Sequence, residues 1–125
     1  MVNIVAISGS LRRGSYNSAL LRAAAALAPA DCKVDIETIE GIPLYHADEE
    51  SKNGVPAPVK ALQDRIAAAD GLLVATPEYN NSIPGVLKNA IDWLSRPPDQ
   101  IDRVFRHCPV GIIGASPGGF GTVHA

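Results

Sequence analysis

The chain has 125 residues, 46% of them apolar and 19% charged, the length and composition of a single domain that can bury a real core. Its net charge of −2 and pI near 5.8 leave no basic footprint for nucleic acid or an anionic membrane surface. Two distant cysteines, Cys32 and Cys108, with no CxxC and no Cys/His ligand spacing, argue against a disulfide framework or a zinc site.

The first element is Val2 to Ile7, a nearly continuous apolar run of the kind buried on both faces of a parallel sheet. No basic leader precedes it and no run is long enough to span a membrane, so a cytoplasmic protein is expected. A polar, glycine-punctuated turn from Ser8 to Ser18 leads into an Ala/Leu-rich helix ending near Leu27, with Asn17 or Ser18 as its cap. Lys33 to Ile39 reads as a second strand. Gly41 to Pro58, with three prolines and two glycines, reads as a long surface loop.

Val59, Leu62, Ile66 and Ala69 recur at helical spacing, and Gly71 to Thr76 follows as a third strand. After the turn Pro77–Ser82, Pro84 opens a third helix with an apolar stripe of Leu87, Ala90/Ile91 and Leu94, stopped by Pro97-Pro98. Val110 to Ala115 is a fourth strand, followed by the small-residue turn Ser116–Thr122. The alternation predicts an α/β doubly wound parallel sheet, order 2-1-3-4, over the single domain 1–125. A complete sheet of order 2-1-3-4-5 would continue with a fifth strand and two more helices, so this chain reads as C-terminally incomplete.

Three turns, after strands one, three and four, fall at the carboxyl ends of parallel strands, where such sheets bind ligands. The first suits a phosphate: glycine permits close approach, helix N–H groups point outward, Ser10, Ser15, Asn17 and Ser18 offer polar donors, and Arg12 offers a planar cation. Gly9-x-x-x-x-Gly14 is followed by Ser15-Tyr16 where a Walker motif needs Lys-Ser/Thr, and GxGxxG is absent. A plain βα turn remains the alternative. The second turn brings Pro77, Glu78, Tyr79 and Asn80 to the same edge, suited to a flat heterocycle with polar edges or, alternatively, simply a capped turn. The third, with Ser116, Gly118 and Gly119, is small enough to let a planar ring lie on backbone.

The segments Gly9-Ser10-Leu11-Arg12-Arg13-Gly14-Ser15-Tyr16-Asn17 and Thr76-Pro77-Glu78-Tyr79-Asn80-Asn81-Ser82 through Ser95 resemble the NADPH-dependent FMN reductases, flavodoxin-like enzymes that include bacterial quinone, chromate and azo-dye reductases. The resemblance implies that FMN is the cofactor. Its phosphate would be wrapped by the segment from Ser10 to Asn17, with Ser10, Arg12, Ser15 and Asn17 as the main contacts and Tyr16 and Ser18 as further cofactor-binding candidates. Its ring would be bordered by Pro77, Glu78, Tyr79 and Asn80 and closed by Ser116, Gly118 and Gly119. It further implies NADPH or NADH as co-substrate and hydride transfer to a small acceptor such as a quinone, flavin, azo compound or metal oxyanion, with no catalytic acid, base or nucleophile. A homodimer or homotetramer through the helix 84–95 region, with Lys88, Asn89, Asp92 and Trp93 near the interface, is implied as well. Two departures stand out: Arg106-His107-Cys108-Pro109 replaces a Gly-Lys pair before strand four, and the C-terminal third of relatives is missing.

Two other classes remain open: an FMN-binding electron carrier without NAD(P)H turnover, and a non-enzymatic module that recruits a partner through its sheet edge. Tyr45, in the long loop, is a candidate flank of an acceptor pocket. The histidines His46, His107 and His124 read as surface residues and Cys108 as a small hydrophobe.

Overall fold

The computed structural model describes residues 1–125, in which four strands and five helices follow one another. They are β1 Val2–Ser8, α1 Tyr16–Leu27, β2 Cys32–Glu37, α2 Ala47–Asn53, α3 Ala57–Ala68, β3 Gly71–Ala75, α4 Gly85–Leu94, α5 Gln100–Phe105 and β4 Val110–Ile113. The strands form one parallel sheet in the order β2-β1-β3-β4, the doubly wound, flavodoxin-like arrangement expected. No helix is long and apolar enough to cross a membrane.

Strand alternation sorts the core into two layers. Val5, Ile7, Leu72 and Val74 face one side, where they pack with Val59, Leu62 and Ile66 of α3, Leu87, Ala90, Trp93 and Leu94 of α4, and Val104 of α5. Ala6 and Ala75 face the other side, under Leu21 of α1. The small residues let α1 sit close to the sheet. Cys108 packs against the larger layer, and the loss of water there pushes its thiol pKa up.

The long segment 41–58 is not wholly a loop. Its middle forms α2, a helix with no buried residue, whose first turn carries Asp48, Glu49 and Glu50 at the end favourable to anions. His46 caps it by accepting from the Asp48 N–H through Nδ1 at 3.2 Å. A second addition is α5, after Pro97-Pro98, which buries only Val104.

The segment is fastened to α4. The Pro43 carbonyl accepts from Trp93 Nε1 at 2.8 Å and Asn89 Nδ2 at 2.9 Å, and the Tyr45 N–H donates to Asn89 Oδ1 at 2.9 Å. The Tyr45 ring meets Trp93 edge-on at 5.0 Å, and its hydroxyl donates to Glu50. Trp93 is therefore a core residue, 2% exposed, and not part of an outward-facing surface.

Candidate functional site

At the carboxyl edge of the sheet, the turns after β1, β3 and β4 enclose a cavity of about 410 Å³. Eleven of the thirteen cofactor-binding candidates line it: Ser10, Arg12, Ser15, Tyr16, Asn17, Pro77, Glu78, Tyr79, Ser116, Gly118 and Gly119. Ser18 and Asn80 do not. Ser18 turns its hydroxyl to Ser8 Oγ at 3.1 Å and borders a neighbouring groove. Asn80 occupies a turn position with φ 54°, followed by Asn81 at 62°. Tyr45, held against Trp93, also lies away from the cavity. Sequence reading missed Ala115, Pro117, Phe120 and Gly121. The one available signal was Phe120, an aromatic inside a glycine-rich turn.

The β1 and β3 turns approach closely because Gly9 has no side chain. Its N–H donates to the Ala75 carbonyl at 2.7 Å, and a Cβ there would lie 2.5 Å from Thr76 Oγ1 and 2.9 Å from Thr76 Cβ. Ser15, and not Asn17 or Ser18, caps α1 by accepting from the Ser18 N–H at 3.2 Å. As an acceptor there, the Ser15 hydroxyl keeps its own proton to donate. The same holds for Ser10, whose Oγ accepts from the Arg12 N–H.

Asn17 is 3% exposed and its carboxamide is engaged inside the protein. Nδ2 donates to the Ala115 carbonyl at 3.2 Å and Oδ1 accepts from the Ala115 N–H at 3.0 Å. It ties the first turn to the last, and its backbone N–H and the second Nδ2 proton are left without a protein acceptor. At the start of α1 the N–H groups of Tyr16 and Asn17 take no protein acceptor. Arg12 has no carboxylate partner and stands over the Tyr16 ring, 5.4 Å from its centroid. This end of the cavity presents hydroxyl protons, free helix N–H groups and one unneutralised guanidinium. Such a donor set fits a phosphate.

The other end is framed by Tyr79, Phe120 and the Ser116–Gly121 turn. The consecutive left-handed residues Asn80 and Asn81 make a tight hairpin, closed by Tyr79 N–H to the Ser82 carbonyl at 2.9 Å and the reverse bond at 3.1 Å. Ser116 Oγ accepts from the Gly118 N–H at 3.1 Å, bracing the third turn. Glu78 is the only carboxylate lining the cavity. The backbone N–H of His124 and then its ring hold the Glu78 carboxyl below the usual carboxylate range. With its charge so engaged, Glu78 opposes an anion less than a free carboxylate would. No cluster of His, Cys, Asp and Glu suited to a metal ion is present.

A family model described as NADPH-dependent FMN reductase matches residues 2–125. The chain is 52% identical over 124 residues to an NAD(P)H-dependent FMN reductase of Pseudomonas aeruginosa, covering 99% of this chain and 65% of that protein. It is 49% identical to a 2-hydroxy-1,4-benzoquinone reductase of Burkholderia sp, covering 99% and 66%. Among solved structures, FerB, a flavoenzyme NAD(P)H:(acceptor) oxidoreductase from Paracoccus denitrificans, superposes with a TM-score of 0.88 at 37% identity, covering 100% of this chain and 66% of that one. The chain thus spans just under two thirds of the length of these curated relatives. The match over residues 2–125 and identities near 50% show that the chain belongs to the NADPH-dependent FMN reductase family.

Proposed function

We propose that this chain is the FMN-binding unit of an NAD(P)H-dependent oxidoreductase that delivers hydride to a small acceptor of the quinone class. The observation that carries the reading is the cavity itself, where hydroxyls, free helix N–H groups and the Arg12 guanidinium suited to a phosphate share one lining with the exposed rings of Tyr16, Tyr79 and Phe120. That combination suits FMN. The names of the Pseudomonas and Burkholderia relatives support the reaction class.

In this reading the protons of Ser10 and Ser15, the N–H groups of Tyr16 and Asn17, and the Arg12 guanidinium bind the phosphate. Asn17 acts by holding the first and third turns together, and Pro77, Glu78, Tyr79, Ser116, Gly118 and Gly119 border the ring. Bound FMN supplies the capacity to accept and release hydride. The chain's own residues bind, orient and exclude water, and none serves as general acid, base or nucleophile. We further read the protein as a homo-oligomer assembling around α4, where Leu44 and Val86 leave apolar surface exposed. Its location is a reducing, cytoplasmic compartment, in keeping with two unpaired cysteines.

The test is titration of the chain with FMN, followed by flavin fluorescence, with Arg12→Ala beside it. Saturable binding, weakened about 10- to 100-fold by the substitution, is expected for a lost charge-assisted bond. Absence of binding by the folded wild-type chain would sink the reading. NADPH oxidation that depends on added quinone then distinguishes an enzyme from an electron carrier.

A further inference from the structure

The six aromatic side chains divide into two sets of three. Trp93 is buried, Tyr45 packs edge-on against it, and Phe105 packs on the same core. The other three, Tyr16, Tyr79 and Phe120, all line the cavity, and all are more than half exposed. A single exposed apolar residue needs no explanation. Every aromatic that the core does not use converging on one cavity is a different matter, because each forgoes the burial that makes such rings valuable to a fold.

The three have different surroundings. Tyr16 stands under the Arg12 guanidinium at the phosphate end. Tyr79 is carried by the Asn80-Asn81 hairpin. Phe120 is 73% exposed and sits on a loop whose base is closed twice. His124 binds Glu78 through its backbone N–H and its ring, and Thr122 packs so tightly over Gly114 that a Cβ there would lie 1.9 Å from Thr122 Cγ2. Within the loop the Val123 N–H donates to the Phe120 carbonyl at 3.1 Å, and Gly121 takes φ +57°. Phe120 is thus mounted on a built turn. Neither it nor Tyr79 has an aromatic partner in the protein.

We infer that Phe120 is a specificity-determining residue: its ring forms the apolar wall against which a planar aromatic acceptor, a fused-ring quinone above all, packs when it enters the cavity. The inference rests on the flavin reading above and adds the residue that selects among acceptors. His124 is the corresponding positioning residue, since its bonds to Glu78 hold the turn that carries Phe120.

The test uses FMN-loaded protein and 1,4-naphthoquinone, with binding read from the change in the flavin absorption spectrum without NAD(P)H. Phe120→Ala, Phe120→Leu and Phe120→Trp are compared, and an FMN titration of each counts the loaded sites. Naphthoquinone affinity is expected to fall about three- to tenfold in Phe120→Ala, to fall less in Phe120→Leu and to hold in Phe120→Trp, the scale of one aromatic contact. Equal affinity in wild type and Phe120→Ala at full loading would overturn the role of Phe120 and leave the flavin reading standing. Failure of the wild-type chain to take FMN would overturn both. Under turnover the same change should appear in KM for the quinone and leave kcat little altered, which a merely structural role would not produce.

Discussion

Asn17 and Ala115, 98 residues apart in sequence, exchange two hydrogen bonds, with the Asn17 carboxamide both donating to and accepting from the Ala115 backbone. The pair mimics one rung of a sheet ladder between a helix start and the end of β4. Asn17→Ala strands the Ala115 N–H and carbonyl and is expected to destabilise the chain by about 1–3 kcal/mol. Asn17→Asp keeps the acceptor but turns a carboxylate oxygen toward the Ala115 carbonyl, so it should be no better. Urea unfolding followed by Trp93 fluorescence checks both, and two transitions at the wild-type midpoint would refute the clamp.

Gly9→Ala sets a methyl group against Thr76, buried to 1% exposure with its hydroxyl donating to the Pro77 carbonyl. Overpacking of this kind costs about 1–3 kcal/mol. Because the shortest approach is to Thr76 Oγ1, with Thr76 Cβ and Leu87 Cδ2 also close, the double variant Gly9→Ala/Thr76→Ala should recover part of the loss and cost less than the sum of the two single changes. A double-mutant cycle measures the difference, and additivity within error would place the conflict elsewhere.

Ser15→Ala removes the α1 cap and should cost about 1 kcal/mol. Thr in its place should recover most of that loss. The effect is expected in thermal stability and in FMN affinity together, since the same hydroxyl supplies a proton to the cavity. A loss of stability with FMN affinity intact would separate the cap from the site.

Glu50 is held by the Arg96 guanidinium at 3.0 Å to both oxygens and by the Tyr45 hydroxyl at 2.8 Å. The Arg96 bonds, then the Tyr45 bond, lower its carboxyl pKa against the opposing effect of burial. A folded-state pKa below the unfolded value contributes stability above the unfolded pKa, and that contribution is lost as pH falls through the lowered folded value. Wild type should therefore exceed Glu50→Gln in thermal midpoint at pH 7, with the gap closing as pH drops below the ordinary carboxylate range. A gap that stays constant down to pH 3 would contradict this. Bonding to Glu50 also raises the Tyr45 hydroxyl pKa, so the same network should weaken again as pH rises above about 10.

Much of this architecture was legible because burial on two faces leaves a strong mark. The runs at Val2–Ile7 and Gly71–Thr76 allow little but central parallel strands, and Leu87, Ala90 and Leu94 repeat at helical spacing because α4 lies on the sheet. The convergence of three turns followed from that topology alone. What escaped notice makes few demands on the core: α2 buries nothing and α5 buries one valine, so neither imposes a periodic apolar stripe. At the site, residue types suggested the chemistry but not the direction of each side chain. Asn17 looked like a phosphate donor because its partner in Ala115 arises only when β4 has paired with β3. Phe120 escaped because no periodicity governs a glycine turn.

The Asn17–Ala115 clamp also sets an order of events in the life of the chain. A nascent polypeptide that has emerged from the ribosome only through α4 already owns the hydroxyls, the guanidinium and the helix end that suit a phosphate, yet the carboxamide that squares the first turn has nothing to hold. The last wall of the cavity arrives only with β4, so the site is assembled from parts of the chain made far apart in time and cannot be squared off before that strand has docked.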